Sequence, residues 1–267
     1  MNRVSSMIQL ICVGFVILGC ETRPFQLSPT DKLATSRNDD NIIFRTGSIH
    51  KYSVQYFDSL KNEKIILLDD MHFGESESYP IANQGDTTAI TNGIKYLEMR
   101  VEDSRADNVT NEYQTTIEYV FFNFESKPLL FTSRTGVVDN ERNIWLHPPR
   151  IGPLKILNLS AFPFVKFPII VGDTWSYDMT IGKNWSHKDF GGLWKTGTDK
   201  FIHQYKVIGE SSLVTNGHSH SCFKISSITK SKIGESSCTF YFSNEYGFLR
   251  MSFFSLNGSE IRLTKSL

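Results

Sequence analysis

Beyond residue 41 the chain is written in short runs in which apolar and polar residues alternate. In residues 95–101, Leu97, Met99 and Val101 fall on one face and Tyr96, Glu98 and Arg100 on the other. A strand with one dry face needs this pattern, because successive side chains of extended backbone point to opposite sides. The same alternation predicts strands within 113–122, 201–208, 222–228, 239–242, 249–256 and 260–263. Asn92-Gly93, Asn216-Gly217, Asn257-Gly258 and the stretch 232–235 around Gly234 read as the turns between them, since Asn and Gly accept the positive φ of tight hairpins.

No segment carries a sustained 3.6-residue apolar stripe with caps, so crossover helices are not expected. Two stretches break the strand pattern. Residues 71–89 are polar and rich in Gly, Ser and Glu, and read as a long loop. Residues 146–168 hold Pro148, Pro149, Pro153, Pro163 and Pro168, too many for a central strand, and read as a join between lobes 42–145 and 169–267. The lobes begin alike, with Gly47-Ser48-Ile49-His50-Lys51-Tyr52 and Gly172-Asp173-Thr174-Trp175-Ser176-Tyr177. A duplicated sheet and a continuous one both stay open. The expected fold is all-β: a strongly curved antiparallel sheet, half-barrel or barrel-like, with few or no long helices.

Composition sharpens this. Phe (20), Tyr (10) and Trp (4) suit pleated, half-buried surfaces. Lys plus Arg equals Asp plus Glu at 28 each, leaving no basic excess for a polyanion, so nucleic acid is not an expected partner.

The first 20 residues are of another kind. Arg3 precedes an apolar stretch from Ile8 to Leu18, broken by Gln9 and Gly14 and ending at Gly19-Cys20. The stretch falls short of the roughly 20 apolar residues that span a bilayer as a helix. Ile17-Leu18-Gly19-Cys20 resembles the lipobox of bacterial lipoproteins. That resemblance implies removal of a signal peptide (1–19), diacylglycerol and often palmitate on Cys20, and a membrane-held product. Glu21, where inner-membrane retention usually shows Asp, implies the outer membrane. Residues 20–41, with Pro24, Pro29 and several Ser, Asn and Asp, read as a flexible tether to the domain 42–267.

A second resemblance covers roughly the last hundred residues. Val171-Gly172-Asp173-Thr174-Trp175, Cys222-Phe223-Lys224-Ile225, Tyr241-Phe242-Ser243 and Glu245-Tyr246-Gly247-Phe248-Leu249-Arg250-Met251 look like a pattern in uncharacterised secreted bacterial β proteins. By analogy it implies a sheet bent like the half-barrels of lipoprotein carriers, with no reaction attached.

Candidate chemistry is sparse. Cys222 and Cys238 flank a hairpin in an exported chain, where a disulfide is credible; simple alternation puts them on opposite faces, so a bond needs a bulge, and a disulfide and buried free thiols both stay open. His218, His220 and Cys222 share one strand face as metal ligands would, without a nearby carboxylate to complete a site, so no metal or cofactor is expected. Trp185 and Trp194 lie in a glycine-rich, hydrophilic setting and are candidate ligand-stacking aromatics, while Trp145 and Trp175 read as core. Asp69, Asp70, His72, Glu75 and Glu77 could serve a hydrolase, and acidic loops are more often solvated. The functional expectation is a noncatalytic envelope module that binds an apolar or glycan ligand or a partner protein; a hydrolase using the 69–77 loop and a purely structural envelope protein are the alternatives.

Overall fold

The computed structural model describes residues 41–68, 81–103, 114–182 and 198–267. The strands are β1 (Ile49–Phe57), β2 (Glu63–Ile66), β3 (Ile81–Asn83), β4 (Tyr96–Val101), β5 (Thr115–Phe122), β6 (Pro128–Asp139), β7 (Asn143–Leu146), β8 (Phe164–Lys166), β9 (Thr174–Ile181), β10 (Asp199–Thr215), β11 (His218–Ser231), β12 (Gly234–Ser243), β13 (Gly247–Phe254) and β14 (Glu260–Ser266). They form one antiparallel sheet in the order β8-β7-β6-β5-β4-β1-β14-β13-β12-β11-β10-β9, with β2 and β3 added beside β1. The alternating runs coincide with strands to within two residues at their ends, Tyr113 lying outside the described residues, and the fold is all-β as expected. The helices among the described residues are short: α1 (Thr87–Asn92) and a 3₁₀ helix (Gly152–Leu159).

The order contains two meanders, β4 to β8 with β1 at their head and β9 to β14, joined where β1 pairs with β14. Their first strands start with the same hydrogen bonds. Gly47 (φ 83°) donates its N–H to Val101 O, Ser48 N–H closes a turn on Arg45 O, and Val101 N–H returns to Ser48 O. Gly172 (φ 93°) donates to Val207 O, Asp173 to Ile170 O, and Val207 N–H returns to Asp173 O. The positive φ makes glycine the natural residue at both positions.

The sheet curls until its ends face each other. Phe164 of β8 meets Trp175 of β9 with ring centroids 5.8 Å apart and Tyr205 of β10 at 5.5 Å. Inside the curl lies segment 147–163, with Leu154, Leu157, Leu159, Ala161 and Phe162 at 0–1% exposure. Its carbonyls are met by inward-facing side chains of both meanders. Tyr119 hydroxyl donates to His147 O at 2.6 Å and Thr135 to the same oxygen at 3.0 Å. Tyr205 donates to Phe162 O at 3.0 Å, Ser236 to Leu159 O at 3.4 Å, and the Cys238 thiol to Ala161 O at 3.5 Å. Beyond the bonds at its two ends, His147 N–H to Gly136 O and Leu146 N–H to Pro163 O, the proline-rich segment leaves the ladders, and side-chain donors meet several of its carbonyls.

Two expectations are corrected. Asn92-Gly93 is a helix end, not a hairpin: Asp86 caps α1 through Thr88 N–H, and Gly93 N–H closes on Ala89 O. Room for that close approach requires glycine, since a Cβ on Gly93 would lie 2.4 Å from Ala89 O. The stretch 71–89 is not all loop, because β3 and the start of α1 occupy its second half; residues 71–80 lie outside the described residues.

Where the chain meets the domain it is pinned. The Asp139 carboxylate accepts the backbone N–H groups of Ile43 and Phe44, each at 2.7 Å. Asn41 donates to Phe44 O and Thr115 Oγ1, and the Phe44 side chain is fully buried. Burial pushes the Asp139 carboxyl up, while these N–H groups pull it down. Asp139→Ala strands one buried and one half-buried donor and is expected to cost about 3 kcal/mol. An unchanged urea midpoint, with no new proteolysis at 41–46, would refute that role.

Candidate functional site

Local irregularities in the sheet set up one open site. β10 carries a register shift between Val207 and Gly209, and the β12·β13 ladder one between Tyr241 and Phe242. Such bulges add a residue to one strand and re-aim the side chains beyond it. At the strand ends just past them lies a depression of about 530 Å³, lined by β10 (Glu210, Ser211), β11 (Ser219–Phe223), the end of β12 and the turn Asn244–Tyr246. The His220 ring packs edge-on against Tyr246 at 5.1 Å. Its Nε2 is buried without a hydrogen-bond partner among the described residues.

Behind the Tyr246 wall runs a buried polar chain. Lys265 Nζ donates to Tyr246 O and to His50 Nδ1, the latter at 2.9 Å, and His50 Nε2 lies 3.1 Å from Ser48 Oγ. Burial lowers the Lys265 ammonium to about 8. Burial first, and the Lys265 charge second, lower His50 to about 3. Near neutral pH the lysine therefore keeps its proton and donates to Nδ1, which places the imidazole proton on Nε2, facing Ser48. Ser48 Oγ accepts that proton's hydrogen bond, the reverse of what an activated serine nucleophile needs. The chain holds the wall of the depression; it does not prime a serine.

Several sequence candidates find definite places. Cys222 and Cys238 are free thiols. Their strands bring Cys222 beside Leu213 and Leu249, and Cys238 into the main core with Phe240, in separate clusters. Burial pushes the Cys238 thiol up to about 12 and raises Cys222, leaving both unreactive near neutral pH. His218, His220 and Cys222 belong to no metal-holding group among the described residues. Trp145 and Trp175 are core, at 5% and 4% exposure. Cys20, Trp185, Trp194 and the loop Asp69 to Glu77 lie outside the described residues.

Sequence reasoning missed Lys265, His50 and the turn Asn244–Tyr246. Lys265 carried a signal all the same. It follows Ile261 and Leu263 on the dry face of β14, where a lysine is out of place unless bonded.

No protein-family model and no curated protein matches the chain. Among solved structures it is similar to a candidate lipoprotein of Parabacteroides distasonis, at 11% identity over 85% of this chain and 98% of that one, with a TM-score of 0.41. It is also similar to the hypothetical lipoprotein YmcC of Escherichia coli (12% identity, 90% and 97% covered, TM-score 0.36). A third is a candidate exported protein of Bacteroides fragilis with a YmcC-like fold (7% identity, 84% and 96% covered, TM-score 0.41). Similarity at this level leaves function to the chain's own residues.

Proposed function

We propose that the chain is an envelope lipoprotein held on the outer membrane through Cys20, whose β domain acts as a noncatalytic binding module. The address is carried by the apolar run ending in Ile17-Leu18-Gly19-Cys20. Two acyl chains, at about 0.8 kcal/mol per buried methylene, suffice for stable anchoring. The polar depression at the ends of β10–β13 is the single observation that carries a binding role.

The filled concave face speaks against an acyl chain as the ligand. A lipid carrier needs a dry groove, and here the interior is occupied by Leu154, Leu157 and Phe162 and lined by donors from Tyr119, Tyr205 and Ser236. Ejecting that segment for an acyl chain would orphan those hydroxyls, at about 1–3 kcal/mol each. Mass spectrometry of the mature product is expected to show a lipidated Cys20, and Cys20→Ser is expected to shift the protein from the membrane to the soluble fraction. An unmodified Cys20, or an unchanged distribution, would sink the anchoring half of the proposal.

A further inference from the structure

We propose that the depression bounded by Glu210, His220 and Tyr246 binds a neutral, hydroxyl-rich ligand of the saccharide class. This rests on the binding-module reading and names its ligand. At about 530 Å³ the space falls within the roughly 300–1,000 Å³ of small-molecule sites. Its lining selects by elimination. Glu210 and Glu245 contribute carboxylates and, among the described residues, no lysine or arginine is in the lining itself, so an anion would meet two like charges at the wall, with the cations Lys265 and Arg250 set behind it. An acyl chain would strip water from two carboxylates and several serines without replacing their hydrogen bonds. An ammonium group would suit the carboxylates but offers no acceptor to the Asn244 amide or to the hydroxyls of Ser219, Ser221 and Ser243.

A sugar hydroxyl both donates and accepts, and so matches the whole set. The partnerless Nε2 of His220 gives it one further contact in the wall, and the Tyr246 ring provides an aromatic surface beside it. The wall is preformed. Lys265 holds the Tyr246 carbonyl, and the next residue, Gly247 (φ 73°), lies so close to Ile43 that a Cβ there would come within 2.9 Å of it. A binding surface fixed in this way loses little freedom on complex formation.

The test is calorimetric titration of the full chain in detergent with cellotetraose, maltotetraose and chitotetraose, and in parallel with spermine and with inorganic phosphate. At least one neutral tetrasaccharide is expected to bind. Glu210→Gln and His220→Ala are each expected to weaken it about tenfold, the loss of one hydrogen bond, with unchanged melting temperature. Should His220→Ala unfold, Glu210→Gln at its exposed position still decides the matter. Binding of spermine or phosphate in place of the sugars overturns the ligand class and leaves a binding module standing. Binding by none of the probes, or sugar binding untouched by Glu210→Gln, overturns the site. Chromatography of the titrated sugar separates the remaining case: cleavage would end the noncatalytic reading without touching the ligand class.

Discussion

Acidification through the histidine range is expected to remove on the order of 5 kcal/mol of folding stability, through two side chains. His203 is fully buried on β10, its Nδ1 2.8 Å from Thr229 Oγ1, with the rings of Tyr177 and Phe162 at 5.8 and 6.5 Å. Its Nε2 has no partner among the described residues. Burial lowers its pKa to about 4, against the opposing pull of Asp178, and lowers His50 to about 3. Both folded values lie below the unfolded 6.5. On acidification the unfolded chain therefore takes up protons that the native chain refuses. This contribution is intact above 6.5, falls until His203 titrates near 4, and falls further until His50 does near 3. Asp139, raised by burial, works in the opposite sense, taking its proton first in the native state and offsetting part of the loss. Urea midpoints measured across this range should drop steeply. His203→Phe, which keeps a ring in place and removes the titration, should give a shallower drop from a lower neutral value. A flat pH profile in the native sequence would refute the assignment.

Most of the fold was legible because a curved antiparallel sheet writes its dry face into the sequence with period two. Leu97, Met99 and Val101 illustrate it: at 0–4% exposure they face the core. Two features were not legible, for different reasons. α1 is six residues long and shows one buried residue, Ala89, too little for a helical period to register. Segment 147–163 read only as part of a join between lobes, because its prolines argue against a central strand, and the pattern gave no sign that Tyr119 and Tyr205 would supply donors to it from facing strands. The candidate site was half legible. His50, His203 and Lys265 all sit at inward positions of alternating strands, between or beside Tyr52, Phe201, Tyr205 and Leu263. A polar residue in such a row is the readable sign of a buried hydrogen bond. Its partner is not readable, because Lys265 and His50 are 215 residues apart and meet only through the β1·β14 pairing.

Phe162→Ala is expected to cost about 3–5 kcal/mol, a large part of the roughly 5–15 kcal/mol that holds an ordinary domain together. Phe162 is 1% exposed and touches the rings of Trp145 at 5.3 Å, His147 at 4.6 Å and His203 at 6.5 Å. Those partners come from both ends of the sheet, so the truncation leaves a cavity where the two meanders meet, and neither can close it alone. Tyr205→Phe, which removes only the hydroxyl bonded to Phe162 O, should cost about 1–3 kcal/mol because that buried carbonyl is left unpaired. Leu130→Ala, at an 81% exposed position, should stay within about 0.5 kcal/mol. Equilibrium urea unfolding of the three variants separates these values. If Phe162→Ala fell within the range of Leu130→Ala, segment 147–163 would lie only loosely inside the sheet. Displacing it would then be cheap, and an apolar ligand on the concave face would regain the ground that its present filling denies it.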